Sequence, residues 1–166
     1  SLTSNFTSNT LEIDRDSRGM DFQVARLPDF KFKESLIDYF AKKYGMEKSV
    51  KVLSSVGLSE AFIFLKNHKI LSQGQLYRAK LAELLLRDEP IWILDEFCSD
   101  LDPMTAKVIA HNLRKTIINQ GKICFIAAAN YEHFIKSLNP HKIILLRHGG
   151  SSVNLTYKEF LDNYDS

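Results

Sequence analysis

The 166-residue sequence contains no GxxxxGK[ST], the loop that cradles phosphates with a ring of backbone N–H groups and a lysine. It also has no CxxC pair. Its two cysteines, Cys98 and Cys124, stand in apolar stretches, which excludes a disulfide-stapled scaffold and fits a reduced, cytoplasmic setting. No run of about 18 apolar residues occurs, so no membrane-spanning helix is predicted. The first ten residues, SLTSNFTSNT, lack the basic and apolar regions of a secretion signal, and there is no starting Met, so a fragment is expected. With 22 basic against 20 acidic residues the net charge is +2, too small a field to indicate nucleic acid or acidic lipid as a partner. No internal repeat or low-complexity linker is visible.

What is present reads as one mixed domain. Apolar residues make up 45% and charged residues 25%, ordinary for a globular chain that buries roughly two-thirds of its unfolded surface. Residues 1–21 are polar, with alternation at Thr10, Leu11, Glu12, Ile13 and a turn signal at Ser17, Arg18, Gly19, a hairpin or loose edge. Leu36, Ile37, Phe40, Ala41 and Tyr44 have helical spacing closed by Gly45; further helices are predicted over 47–56 and 57–67. Residues 76–86 form another helix, broken by Asp88, Glu89 and Pro90 before a buried strand at 91–94. A helix over 105–119 ending near Gly121 and an apolar strand at 123–128 complete a βαβ unit. Residues 132–138 read as helix, 142–146 as a third strand, and 157–164 as a terminal helix.

Two stretches carry chemistry. The apolar run 91–94 ends in Asp95 and Glu96, which places two carboxylates at the carboxyl edge of a parallel sheet, where α/β folds bind ligands. The first suits Mg²⁺; the second could polarise a water for attack on a phosphoryl group. Taken alone, acids at a strand end are commonplace. The loop LSQGQ at 71–75 precedes a helix, and a helix start with a serine hydroxyl and a glycine makes an anion site, although the plain reading is an N-cap and a turn.

Together the two stretches resemble ABC-type ATPases: LSQGQ is similar to their signature loop LSGGQ, IWILDE to their Walker B strand, and SDLD at 99–102 to their D-loop. Gln73 stands where that family usually has Gly. The resemblance covers about residues 22–146 and implies a P-loop NTPase-like α/β fold, a parallel sheet with a small helical subdomain. It divides the chain into an N-terminal strand and Q-loop segment at 1–29, a helical subdomain with the signature helix at 30–86, an α/β core at 87–150 and a C-terminal helix at 151–166.

The resemblance implies ATP and Mg²⁺ as cofactors and a second ABC domain as partner, the two domains sandwiching ATP. Ser72, Gln73, Gly74 and Gln75 would then meet nucleotide held by the other domain, Asp95 would hold Mg²⁺, Glu96 would position the attacking water and Asp102 would couple the two sites. MDFQVARLPDF is similar to a Q-loop, with Gln23 as its glutamine. The family's switch histidine should close the strand in GKICFIAAAN, and its position falls on Ala129 or Asn130; only Asn130 could donate a hydrogen bond to a γ-phosphate. His133 is a nearby substitute that reads as surface.

The missing phosphate loop is expected upstream of Gln23, where the residues present are too few to hold it, so the chain by itself should bind ATP poorly. The phrases VGLSEAFIFLKNHKILSQGQLYRAKLA and DEFCSDLDPMTAKVIAHNLRK look like a non-transport branch in which the ATPase is joined to a predicted GNAT-type acetyltransferase domain. A degenerate regulatory module with little turnover and the nucleotide-binding subunit of a transporter are the alternatives. Phe62, Phe64 and Trp92 read as core, and Cys98 beside acids reads as packing rather than as a nucleophile.

Overall fold

The computed structural model describes residues 12–15, 21–147 and 149–164. Strand β1 (Glu12–Arg15) pairs antiparallel with β2 (Asp21–Arg26), so a hairpin forms as its alternation suggests. The turn expected at Ser17, Arg18, Gly19 lies outside the described residues.

Helix α1 (Leu36–Tyr44) opens on Ser35, whose side chain accepts from the Asp38 N–H, and closes at Gly45, where φ is 84°. Helix α2 (Met46–Ser55) follows directly. The third helix is shorter than its periodicity suggests: α3 spans only Ala61–Phe64, because Gly57 at φ 77° turns the chain before it and the backbone leaves helical hydrogen bonding after it. Helix α4 (Gln73–Leu85) begins three residues earlier than the apolar spacing indicated, since Gln73, Gly74 and Gln75 themselves form its first turn.

Strand β3 (Ile91–Leu94), helix α5 (Pro103–Gln120) and strand β4 (Ile123–Ile126) make the expected βαβ unit, with β2, β3 and β4 parallel. The Asp102 N-cap, Pro103 in the first turn and Gly121 in the left-handed region fix both ends of α5. On one face of the sheet Ala25, Trp92 and Leu94 are fully buried, each large side chain contributing about 1.5–3 kcal/mol. The other face is open at β4, where Ile123 is 57% and Phe125 60% exposed. The apolar run 123–128 therefore behaves as a one-sided strand.

The helix predicted over 132–138 is split into a 3₁₀ turn at Tyr131–His133 and helix α6 (Ile135–Leu138), broken at Phe134, whose ring is drawn into the core edge-on to Phe97 at 4.9 Å. Strand β5 (Lys142–Leu146) does not join the parallel sheet. It pairs antiparallel with β6 (Ser152–Thr156), a strand within the stretch expected as terminal helix, and helix α7 (Tyr157–Tyr164) follows. Among the described residues no helix is long and apolar enough to cross a membrane.

The helical segment is fastened to α4 by one buried carboxylate. Glu83 is 1% exposed and accepts from the Tyr39 hydroxyl at 3.0 Å, the Tyr44 hydroxyl at 3.2 Å and the Lys43 ammonium. Burial first, and the Glu83 charge second, raise the Tyr39 phenol to about 12 and push that of Tyr44 up as well, so both remain donors. Replacing Glu83 with Ala strands these donors and should lower the unfolding free energy by about 1–3 kcal/mol. Urea titration checks this, with a shifted midpoint and an unchanged slope expected.

Candidate functional site at the open sheet edge

Ser72 caps α4 through a reciprocal box: its hydroxyl accepts from the Gln75 N–H at 3.2 Å, and the Gln75 side-chain oxygen accepts from the Ser72 N–H at 3.1 Å. Lys66 also donates to that oxygen at 3.4 Å. The box consumes the Gln75 donor. The N–H groups of Gln73 and Gly74, in the first turn, have no acceptor within their helix, and Ser72 and Gln73 are exposed. The capped end is thus an accessible positive pole.

A Cβ on Gly74 would meet the Leu101 side chain at 3.4 Å and the Asp100 carbonyl at 3.9 Å, ordinary van der Waals distances. The first turn of α4 thus lies beside the segment that follows Asp95 and Glu96.

That segment leaves the carboxyl end of β3 through a constrained path. The Ala127 N–H donates to the Leu94 carbonyl at 2.8 Å and the Phe97 N–H to the Ala127 carbonyl at 3.0 Å, extending the pairing of β3 with the chain beyond β4. Phe97 is buried, and to bury it Glu96 and Cys98 adopt left-handed conformations, φ 50° and 59°. Such residues cost about 1–3 kcal/mol each and persist where surrounding contacts fix them. Asp95 accepts from the Glu96 N–H through Oδ1 at 3.0 Å, and both carboxylates are exposed. A second oxygen of Asp95 stays available, a hard donor of the kind that holds a hydrated Mg²⁺.

Gln73, Tyr77 and Lys80 of α4 line a cleft of about 220 Å³ together with Asp95, Glu96 and Asp100. Residues of the α4 start and acidic residues of one chain therefore share one cavity wall. Asp102 stands at the end of the loop, where its carboxylate accepts from the Thr105 N–H at 3.0 Å; the Thr105 side chain first, and this N–H second, hold its carboxyl below the usual carboxylate range. Ala129 and Asn130 follow β4 at the same carboxyl edge and are exposed, as is His133.

Gln23 is not brought to this group. It pairs with Ile13, and its neighbour Val24 aligns with Ile91, the first residue of β3, whereas Asp95 follows the last. Gln23 therefore sits at the amino edge of the sheet, and Leu27, beyond the end of β2, lines the cleft instead. Neither Leu27 nor Lys80 carries a motif signal, although Lys80 shares the α4 face of Gln73 and Tyr77 by helical spacing. Burial raises the Cys98 thiol to about 12, with the Tyr77 hydroxyl opposing, so it is no nucleophile at neutral pH.

No family model matches the chain. It is 35% identical over 98 residues to the ATP-dependent lipid A-core flippase of Legionella pneumophila, an alignment covering 58% of this chain and 16% of that protein. It is 30% identical over 96 residues to the nickel import system ATP-binding protein NikD of Staphylococcus aureus, covering 58% of this chain and 37% of that one. The dimeric post-hydrolysis structure of the ATP-binding cassette MJ0796 bound to ADP and Pi superposes with a TM-score of 0.61 at 19% identity, over 82% of this chain and 63% of the other.

A depressed carboxyl contributes stability above its unfolded value and loses it as pH falls through the folded one. Replacing Asp102 with Ala should therefore lower the thermal midpoint at pH 7. Thermal scans should show the gap from wild type closing as acidification passes below 3.8, the ordinary value of this carboxyl. The chain has homologues among ABC ATP-binding proteins, of which it spans well under half, and it shares the α/β fold of ABC nucleotide-binding domains.

Proposed function

We propose that this chain supplies the signature and Walker B half of an ABC-type ATPase module, and that the grip on the triphosphate comes from residues outside these 166. The observation that carries the reading is that one chain exposes both halves of such a site at the carboxyl edge of its parallel sheet: the α4 start at Ser72 and Gln73, free to meet a second domain, and the acids Asp95 and Glu96 beyond β3. The likeness to ATP-binding proteins and to a dimeric cassette supports the same assignment.

In this reading two such domains sandwich ATP. Ser72, Gln73, Gly74 and Gln75 present a capped helix start to phosphates held by the other domain, and the free N–H groups of the first turn bind anionic oxygens. Asp95 would hold Mg²⁺ with water completing its shell, which neutralises developing phosphoryl charge when bound. Glu96 orients the attacking water, and Asn130 donates to the γ-phosphate in place of the histidine usual in such domains. Asp102, fixed at the start of α5, couples one site to the next. Gln23 has no part, because the register keeps it at the opposite edge.

The phrases around LSQGQ and SDLD support a non-transport role beside an acetyltransferase domain, in a cytoplasmic protein. Co-purification of the complete protein with an integral membrane partner would contradict that placement. In the complete protein Glu96→Gln should lower turnover by about a hundredfold or more while ATP stays bound; an unchanged rate contradicts the role.

Ala129 favours a second reading, a regulatory module with slow turnover, since it offers no side-chain donor where the family has histidine. Steady-state ATPase assays of Ala129→His and Asn130→His separate the two. A rise of about tenfold or more in either variant supports the slow module, and no rise supports Asn130 as sufficient.

A further inference from the structure

Tyr77 stands one turn into α4, on the wall of the cleft and opposite the acidic loop. Its hydroxyl accepts a hydrogen bond from the Cys98 N–H at 3.1 Å, across a separation of 21 residues. Cys98 lies in the left-handed region, as Glu96 does two residues before it. A turn with two such residues springs open unless contacts hold it. On the Phe97 side it is held by the Ala127 carbonyl and by burial of the ring. On the cleft side the described residues offer one side-chain hydrogen bond to its backbone from another element, that of Tyr77.

We infer that Tyr77 is a positioning residue: its hydroxyl latches the turn at 95–98 to the signature helix and so fixes where the Glu96 carboxylate stands. The inference rests on the proposed role of Glu96. The geometry has two consequences. The acidic turn cannot move without either breaking the Tyr77 bond or carrying α4 with it. Any displacement of the signature helix by a partner domain is thereby transmitted to Glu96 through one oxygen. Burial keeps the Tyr77 phenol protonated well above its ordinary range, so the latch does not titrate near neutrality.

The test removes that oxygen. Tyr77→Phe in the complete protein keeps the ring packing, and hydrogen exchange of the peptide covering 95–99, read by mass spectrometry without nucleotide, should accelerate by about tenfold. The kcat for ATP should fall by about tenfold with KM within about twofold, because orientation of a catalytic group is lost and binding is not. Unchanged exchange would overturn the latch; faster exchange with unchanged kcat would overturn its link to Glu96. A raised KM at constant kcat would make Tyr77 a nucleotide contact instead and likewise overturn the inference. Glu96→Gln assayed in parallel distinguishes failure of the underlying reading: its unchanged turnover would remove the role of Glu96, and with it the positioning role, whatever the exchange rates.

Discussion

The contact on which this structure depends is the seating of the first turn of α4 against the loop that leaves β3. Parallel pairing of β2, β3 and β4 sends Asp95, Glu96 and the chain after Ile126 to one rim of the sheet. Nothing in a sheet obliges a helix start to arrive at the same rim. It does so here because Tyr77 reaches Cys98. A positive helix pole and two carboxylates are thus set about one cavity, an arrangement suited to a polyanion accompanied by a cation.

The rest of the molecule holds this contact in place. Helix α1 braces α4 through Glu83 and its tyrosines, while Arg78 ties the Gly57 carbonyl to the Gly74 carbonyl at 2.8 and 3.2 Å. On the sheet side Phe97 and Phe134 anchor the loop. Strain at Glu96 and Cys98 is tolerated because burial of Phe97, its bond to the Ala127 carbonyl and the Tyr77 hydroxyl hold the turn from two sides. The face of β4 turned away from the core leaves Ile123 and Phe125 uncovered.

Much of this was legible in the sequence, for reasons that differ by element. The stops were local: Gly45 and Gly121 each mark a helix end by their own conformational preference, and the structure places the ends there, whereas α5 starts at Pro103, two residues before the expected Thr105. The acids after an apolar run were legible because a buried strand ends where its polar residues begin. Position across the sheet was not legible. Whether Gln23 meets the amino or the carboxyl edge depends on register with β3, which no local pattern encodes. Strand β6 was hidden because Val153 and Leu155 are too short an alternation to compete with the helical signal that follows. The break at Phe134 depends on its packing against Phe97, a contact between residues far apart in sequence.

The central claim is that the α4 start and the Asp95–Glu96 rim act on one triphosphate from two domains. A crystal structure of the complete Glu96→Gln protein grown with ATP and Mg²⁺ tests it most directly. The account predicts a triphosphate with Mg²⁺ beside Asp95 of one copy and the Ser72 helix start of the other against its phosphates. Nucleotide bound elsewhere, with both groups facing solvent, would contradict it.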